Sequence, residues 1–244
     1  PLGVSPDNVK MLFSANRTLM ITTCTGSVYV LSQSTNIRGN GGVGNSTQWY
    51  RVMVNATTPL TDVVVARGIS TVGFALKSDG TLWTWGDETF LGDGTAAQDR
   101  SYATQMTLPA GIPGIKMIQA ASNNVVLSDI TEVSYIVLGT DKKIYSLGKN
   151  NYGQLGDRTS VDRNVWVNAK NPNNTIITDA AWISTNEHDE NFAALAVIKT
   201  NGVVYTAGCN SYYMIGRTAG GGTSTVTGAI NFLDIPTGIT TGDF

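Results

Sequence analysis

The chain has 244 residues, of which only 14% are charged, and its formal net charge is −2. No run of Lys or Arg could neutralise a series of phosphates, so the composition argues against nucleic acid as a partner. No apolar stretch reaches the length of about 18 residues that a membrane-spanning helix needs, so we expect no membrane insertion.

Composition predicts an all-β protein. Gly, Thr, Asn, Ser and Val are abundant, whereas the residues that fill helices are few. The length allows one all-β domain or two smaller ones. The start, Pro1-Leu2-Gly3, has neither the basic nor the apolar region of a signal peptide.

A set of four short segments recurs along the chain. The first segment reads VKMLFSA at Val9, LTDVVVA at Leu60, IKMIQAA at Ile115 and ITDAAWI at Ile177, and ITTGDF at Ile239 begins a fifth copy. The second is an apolar run at residues 19–22, 74–76, 135–138 and 195–198. The third follows a turn and reads CTGSVYVLS, DGTLWTWGDE, TDKKIYSLG and TNGVVYTAG. The fourth is predicted at residues 49–54, 102–106, 165–167 and 230–233. Second and third segments alternate in polarity around a turn, which predicts a β-hairpin in each copy.

The repeat predicts a β-propeller. The turn positions are Gly26, Gly80, Lys142 and Gly202, which lie 54, 62 and 60 residues apart. Six residues after each turn stands Ser32, Gly86, Gly148 or Gly208, where we expect a tight bend. A four-stranded antiparallel unit at this interval is typical of a propeller blade. The approximate repeats are 9–59, 60–114, 115–176 and 177–238, with 239–244 starting the next, in a single propeller domain or a fragment of one.

The two tryptophans of DGTLWTWGDE, Trp83 and Trp85, lie on one face of the predicted strand. Residues of the same class recur at the matching positions of the other copies, which favours packing between blades. A platform on which a sugar ring stacks is the alternative.

The third and second copies, SLGKNNYGQLGDRTS and ALKSDGTLWTWG, resemble the repeat of the regulator-of-chromosome-condensation (RCC1) family. The resemblance covers four repeats and weakens in the first, where LSQSTNIRGNGG replaces the loop. It implies a β-propeller, commonly of seven blades. The polar pair that the family often carries before the second strand is missing here. Four repeats are also fewer than the usual ring, so the chain either is part of a longer protein, closes as a small ring, or has its ends covered by another chain.

No group of residues predicts catalysis, a metal site or a cofactor. His188 is the only histidine, which excludes a His-dependent triad or a multi-His metal site. Its acidic neighbours Glu187, Asp189 and Glu190 could bind a cation, but their spacing matches no calcium loop, and a solvated insertion is favoured. The pair Asp93 and Asp99 could suggest calcium or glycosidase chemistry.

Turn geometry explains the remaining motifs more simply. We interpret Gly92-Asp93-Gly94 as the turn equivalent of Gly156-Asp157-Arg158. The run Gly220-Gly221-Gly222 lacks the Lys and Ser or Thr of a phosphate loop and reads as a flexible loop.

The cysteines and the glycosylation sequons add little to the functional prediction. Cys24 and Cys209 have no partner motif and are expected to be buried free thiols. Sequons at Asn16, Asn45, Asn55 and Asn173 would permit glycosylation in a eukaryotic secretory route, although an Asn- and Thr-rich chain produces such triplets by chance.

We therefore expect a non-enzymatic recognition or structural module that binds protein or glycan through its propeller loops. Low charge and long polar loops suggest display outside the cell or on a virion, in a fibre or coat assembly or with other copies of itself. The alternative is a guanine-nucleotide exchange factor or chromatin-associated propeller of the RCC1 type. The predicted binding residues, all in loops, are Asn36, Arg38, Asn40, Asp87, Asp93, Asn150, Tyr152, Asp157, His188, Asp189, Tyr212 and Arg217.

Overall fold

The computed structural model describes residues 3–15, 18–69, 71–124, 131–186, 193–209, 215 and 226–231. These residues form four antiparallel sheets of four strands, which are the blades of an all-β β-propeller, as predicted. Blade 1 contains β1 Val9–Ala15, β2 Thr18–Thr23, β3 Val28–Ser32 and β4 Tyr50–Arg51. Blade 2 contains β5 Val63–Ile69, β6 Val72–Lys77, β7 Leu82–Thr89 and β8 Gln98–Gln105. Blade 3 contains β9 Ile115–Asn124, β10 Thr131–Gly139, β11 Ile144–Gly148 and β12 Arg163–Asn168. Blade 4 contains β13 Ala180–Thr185, β14 Ala194–Lys199, β15 Val204–Gly208 and β16 Val226–Asn231.

Each blade is a meander in which strands pair in chain order. The predicted hairpin turns are confirmed, since Gly26, Gly80 and Gly202 have φ between 78° and 83° and Lys142 has φ 60°. The predicted bend after the third strand is confirmed at Gly86, Gly148 and Gly208, where φ is 110° to 116°. At Gly86 a Cβ atom would overlap the Thr71 carbonyl oxygen, so only glycine fits there.

The fourth strands differ most from the prediction. In blade 1 the ladder is only two residues long, and residues 33–49 form a long loop before it. In blade 2 the fourth strand begins at Gln98, four residues earlier than predicted, and in blade 4 it begins at Val226. Strand limits here depend on where each loop rejoins the sheet, which alternation alone does not fix.

A bulge in the first strand links blades in pairs. The pairing register shifts around Lys10, Val64 and Ala181, one residue after the start of the strand. Lys10 Nζ donates to the Val64 carbonyl (2.9 Å), and Lys116 Nζ, at the matching position of blade 3, donates to the Ala181 carbonyl (2.8 Å). A bulged residue is left out of the ladder, so its carbonyl is available to a lysine of the preceding blade.

Contacts divide the chain into two compact units. Unit 1 holds blades 1 and 2 within Pro1–Leu108, and unit 2 holds most of blades 3 and 4 within Pro109–Ala121, Ser134–Asn186 and Phe192–Phe244. Each unit has a hydrophobic cluster between its two blades. In unit 1 the cluster includes Met20, Val30, Ala66 and Trp85, and in unit 2 it includes Ile136, Ile144, Ile183 and Leu195.

The two tryptophans belong to the cluster of unit 1. Trp85 is fully buried, and its Nε1 donates to the Ile37 carbonyl (2.7 Å). Trp83 is half-buried against the same cluster, and its Nε1 donates to Thr81 Oγ1 (2.9 Å). The prediction of packing between blades is therefore confirmed, and a fully buried Trp85 ring has no face open to a sugar.

Both cysteines are free, as predicted, but only Cys209 is buried. The expectation that Cys24 is buried is wrong, because it follows β2 at the exposed hairpin turn. Among the described residues, no helix has the length and apolar character that crossing a membrane requires.

Candidate protein-binding surface

The long loop of blade 1, residues 33–49, is held by a buried arginine. Arg38 is 2% exposed and lies in a 3₁₀ turn, Asn36–Arg38, that ends at Gly39 with φ 66°. Its guanidinium donates to the carbonyls of Ser32 (3.1 Å), Gln33 (3.2 Å) and Gly44 (3.0 Å). The fork of Arg therefore ties both ends of the loop together.

The same loop is attached to blade 2. The Ile37 carbonyl accepts the Trp85 indole, and the Gly41 amide donates to the Ser101 carbonyl (2.9 Å). Asn40 forms an isolated bridge with Tyr102 of β8. The Asn40 Nδ2 donates to the Val43 carbonyl (2.8 Å), and its buried Oδ1 has no hydrogen-bond donor. Two blades thus present one continuous, braced loop surface.

Asp87 lies where this loop meets the end of β7. Asn36 Nδ2 donates to Asp87 Oδ1 (2.6 Å), and Ser34 Oγ donates to Oδ2 (3.3 Å). Burial raises the pKa of Asp87 above its usual value, the negative charge of Asp99 adds to the increase, and the hydrogen bonds from Asn36, Thr71 and Ser34 oppose it. A half-buried carboxylate with a raised pKa is a common feature of functional sites and of structural networks.

Two further carboxylates accompany Asp87. Glu88 has a left-handed backbone, with φ 47°, and its amide donates to Asp99 Oδ1 (2.9 Å). Asp99 is exposed and Glu88 is half-buried. We name Asp87, Glu88 and Asp99 the acidic rim. Its neighbours in the blade 1 loop are neutral donors, so the rim presents negative charge to solvent on a fixed backbone.

The loop of blade 3, residues 149–162, is built around a buried asparagine. Asn150 is fully buried, and its Nδ2 donates to Asp157 Oδ1 (3.1 Å) and to the carbonyls of Thr159 (3.0 Å) and Val161 (3.2 Å). Its Oδ1 accepts the Leu155 amide (3.0 Å). One side chain therefore supplies the donors and the acceptor that close the loop.

Asp157 is the second member of this network. Its Oδ1 accepts the Thr159 amide (2.9 Å) and hydroxyl (2.7 Å), and its Oδ2 pairs with Arg163 Nη2 (2.6 Å). Burial is the largest single influence on the pKa of Asp157 and would raise it, but hydrogen bonds from Thr159 and Arg163 outweigh burial and hold the pKa below its usual value. Asp157 is 3% exposed, so it acts within the loop.

The structure brings together two pairs of the predicted binding residues, Asn36 with Asp87 and Asn150 with Asp157. Arg38, Asn150 and Asp157 are buried, which gives them a bracing role in their loops. Direct contact of any predicted residue with a ligand stays a prediction. Asp93 is exposed, Tyr152 and Asn40 are half-buried, and four predicted residues, His188, Asp189, Tyr212 and Arg217, lie outside the described residues.

The turn interpretation of Asp93 is confirmed. Asp93 Oδ1 accepts the amide (2.9 Å) and hydroxyl (2.6 Å) of Thr95, as Asp157 does with Thr159. Within the described part of the chain, no three His, Cys, Asp or Glu side chains are placed to hold a metal ion.

Sequence reasoning missed the partners of the predicted residues. Ser34 and Thr71 contact Asp87. The backbone amide of Asn150 donates to Asp162 Oδ1 (2.9 Å). Gln154 Nε2 donates to Ser134 Oγ (3.2 Å), which joins the loop of blade 3 to β10. The Asp-x-Thr spacing could have identified Thr159, whereas contacts between separate blades leave no local pattern in the sequence.

Comparison with solved structures identifies similar folds. A structure of Prp20p from Saccharomyces cerevisiae matches with a TM-score of 0.68 at 17% identity, over 97% of this chain and 53% of that one. Yeast RCC1 (Prp20) bound to Kap60 matches with a TM-score of 0.64 at 17% identity, over 93% of this chain and 49% of that one. Human WBSCR16 matches with a TM-score of 0.57 at 16% identity, over 82% of this chain and 47% of that one.

The chain spans about half the length of these structures. No protein-family model matches it, and no curated protein matches it in sequence. The repeats, the four-stranded blades and the similar structures agree: the chain has the fold of the RCC1-like β-propellers.

Proposed function

We propose that the chain is a protein-binding module of the RCC1-like type, and that the acidic rim with the neighbouring blade 1 loop forms its binding surface. Support comes from the similar structures, whose descriptions include binding of Prp20p to Gsp1p and histones and of yeast RCC1 to Kap60. At this level of identity the likeness extends to the fold, so the partner of this chain is inferred from its own surface.

The acidic rim is the observation that carries the proposal. Asn36 Nδ2 donates to Asp87 Oδ1 (2.6 Å) and the Glu88 backbone amide donates to Asp99 Oδ1 (2.9 Å), so the carboxylates of Asp87 and Asp99 have little freedom to lose on binding. The side chains of Asn36 and Ser34, which contact Asp87, are uncharged. A basic protein segment would complement the negative charge of the rim, and histones are basic proteins of the kind that Prp20p binds.

The similar structures support the RCC1-type alternative better than display on a virion or cell surface. None of them is described as an adhesin, a fibre or a glycan-binding protein. Guanine-nucleotide exchange is the second candidate function, favoured by the match to Prp20p, whose description names Gsp1p. In the proposal the chain acts by binding, without a catalytic side chain of its own.

Binding and exchange can be separated in one experiment. The purified chain is titrated with core histones and with GDP-loaded Gsp1p by calorimetry, and GDP release from Gsp1p is followed by fluorescence. We expect histone binding that weakens about tenfold in the Asp87→Asn/Asp99→Asn variant, because two charges opposite a basic segment are removed. The control is Asp7→Asn, an exposed carboxylate in a different turn of unit 1.

The outcomes distinguish the candidates. Histone binding that depends on the acidic rim supports the proposal. Accelerated GDP release supports the exchange function instead. Absence of binding, or binding equal in Asp87→Asn/Asp99→Asn and Asp7→Asn, would exclude the acidic rim as the binding surface.

A further inference from the structure

Every blade of this fold has two apolar faces. We name the face that packs against the preceding blade the leading face, and the opposite one the trailing face. In unit 1 the leading face of blade 2, with Ala66 and Trp85, packs on the trailing face of blade 1, with Met20 and Val30. Unit 2 repeats this arrangement between blades 4 and 3.

The leading face of blade 1 exposes two leucines, although Ile21 on the same face is only 7% exposed. Leu12 is 63% exposed, whereas the matching residues Ala66 and Ile183 are 1% and 0% exposed. Leu19 is 37% exposed, whereas the matching Leu195 is 2% exposed. These residues have the apolar character of a buried blade face, and in blades 2 and 4 another blade covers that face.

The trailing face of blade 4 is open as well. Trp182 is 42% exposed, and Ala196, Ile198 and Val204 are only half-buried. Ile136, Leu138 and Ile144 of blade 3, which match Ala196, Ile198 and Val204, are fully buried, whereas Met117, which matches Trp182, is half-buried. Within the described residues, these two faces therefore expose apolar side chains.

A cavity in blade 4 shows how the two faces fit. It measures about 220 Å³, and its walls include Ala196, Thr206 and Ile215. At the matching place in blade 3 lies Leu195 of blade 4. A Cβ atom added to Gly156 would be 3.7 Å from Leu195 Cδ2, and Leu155 belongs to the same hydrophobic cluster as Leu195. Ile215 corresponds to Leu155, as Leu19 of blade 1 corresponds to Leu195. A leucine from a leading face therefore suits this cavity.

A buried polar atom lies beside the open leading face. Arg51 of β4 pairs with Tyr29, in the same row across the sheet as Ile21 and Leu12. Its Nη2 donates to Ser27 Oγ (2.9 Å), but its buried Nε has no hydrogen-bond acceptor. An orphaned donor of this kind is costly unless an acceptor arrives from outside the blade.

We propose that the two open faces bind each other between two copies of this chain, so that blade 1 of each copy lies against blade 4 of the other. The repeats show that a blade face of the opposite kind is what covers such a surface. A head-to-tail contact that closes after two copies covers both of these faces in each copy. The inference does not depend on the proposed function.

Light scattering after size exclusion tests the pair. We expect a mass of about 52 kDa, twice the 25.9 kDa of one chain, at micromolar concentration. Leu12→Asp/Leu19→Asp is expected to give the single-chain mass, because a charge cannot be buried unpaired in the contact. The matched control is Val43→Asp, at a residue that is 62% exposed in the blade 1 loop. Trp182→Glu tests the other face, with Val161→Asp, at a residue 57% exposed, as its control.

Three results would overturn the proposal: a single-chain mass for the unmodified protein, an assembly larger than two copies, or an unchanged mass in both charged variants. Circular dichroism of each variant shows that a change in mass is not caused by unfolding.

A disulfide experiment avoids disruptive substitutions. In a Cys24→Ser background, one protein carries Leu19→Cys and another carries Ala196→Cys. After mild oxidation the mixture is expected to give a covalent dimer, and each protein alone is expected to give none. If a protein carrying both changes instead cross-links within one chain, blade 4 covers blade 1 of its own chain and the proposal is wrong.

Discussion

At the residue scale, one turn recurs throughout the described chain. An Asn or Asp Oδ1 accepts both the amide and the hydroxyl of a Thr two residues later, at 2.9–3.2 Å and 2.6–3.1 Å. The first residues of these turns are Asn45, Asn55, Asp79, Asp93, Asp157 and Asn173. Three of the four sequons are therefore the Asn form of a structural turn whose Asp form cannot be glycosylated.

The hydrogen bonds of this turn lower the pKa of its Asp carboxyl group. The Thr81 hydroxyl is the largest cause of the lowered pKa of Asp79, and the Thr95 hydroxyl plays the same part for Asp93. Both carboxylates are well exposed, so their contribution to stability is small. Asp157 differs because it is buried in the loop of blade 3.

Asp157→Asn is expected to lower the free energy of unfolding by about 1–2 kcal/mol at neutral pH, because the charge-assisted bonds to Arg163 and Thr159 are lost. The loss stays this modest because the Arg163 side chain is 29% exposed and solvent weakens its bond. The folded pKa of Asp157 lies below the usual 3.8, so its stabilisation is complete above that pH and disappears as the pH falls towards the folded value. Urea denaturation from pH 3 to pH 7 measures the difference. A deficit that stays constant across this range would contradict the assignment.

Asp87→Asn is expected to show the opposite trend. The folded pKa of Asp87 lies above 3.8, so the folded state binds the proton more tightly and the charged form destabilises the fold as the pH rises through the folded value. Relative to the wild type, the Asn variant should gain stability between pH 4 and pH 7. The same denaturation series checks the sign, and a relative loss of stability over that range would show that the hydrogen bonds outweigh the burial.

Sequence predicted the Asp93 turn because its hydrogen bonds lie within a few residues of one another. It did not predict that Arg38 is buried, because the carbonyls that receive the guanidinium are assembled only when the loop folds back on β3. Nor did it predict the contact between Asn36 and Asp87, which joins residues 51 positions apart.

At the element scale, one pair of positions on the second and third strands combines a large and a small residue in blades 2 and 4. Gly73 pairs with Trp85 in blade 2, and a Cβ on Gly73 would overlap the indole. Blade 4 pairs Leu195 with Ala207 instead. One large and one small residue fill the site in both blades, but the large residue is on different strands.

A double-mutant cycle tests this compensation. Gly73→Leu alone is expected to cost about 2–3 kcal/mol or more through overlap with Trp85, and Trp85→Ala alone about 3–5 kcal/mol through the cavity it leaves. The double variant reproduces the pair of blade 4 and should cost clearly less than the sum, with a coupling of about 1–3 kcal/mol. Chemical denaturation gives all three values. Additive costs would show that the two positions do not share one space.

Alternating strands were predictable at this scale because each strand has one local period and its turn residues are adjacent. The extent of the fourth strands was not. In blade 1, β4 shortens to Tyr50–Arg51 because the preceding loop pairs with blade 2 through Asn40 and Gly41. When two blades compete to pair with the same loop, the sequence shows no periodic pattern that would reveal the outcome.

At the scale of the whole molecule, the spacing of the turns was enough to predict four blades. It could not show which blade faces are covered, because both faces of every blade are apolar whatever lies against them. In the structure, the exposed fractions of Leu12, Leu19 and Trp182 distinguish the open faces from the buried ones.

If two copies cover these faces, the unfolding temperature Tm must depend on protein concentration. A pair that dissociates on unfolding is stabilised by mass action. A tenfold rise in protein concentration stabilises the folded pair by about 0.7 kcal/mol per chain. For a chain of this length, that energy raises Tm by about 1–3 °C. Scanning calorimetry over a hundredfold range of concentration measures the slope. Val43→Asp should keep the slope of the wild type, whereas Leu12→Asp/Leu19→Asp should have a lower Tm that does not change with concentration. A wild-type Tm that is constant over the range would mean that no second copy contributes to the folded state, and the exposed leucines would then belong to a face that stays open in solution.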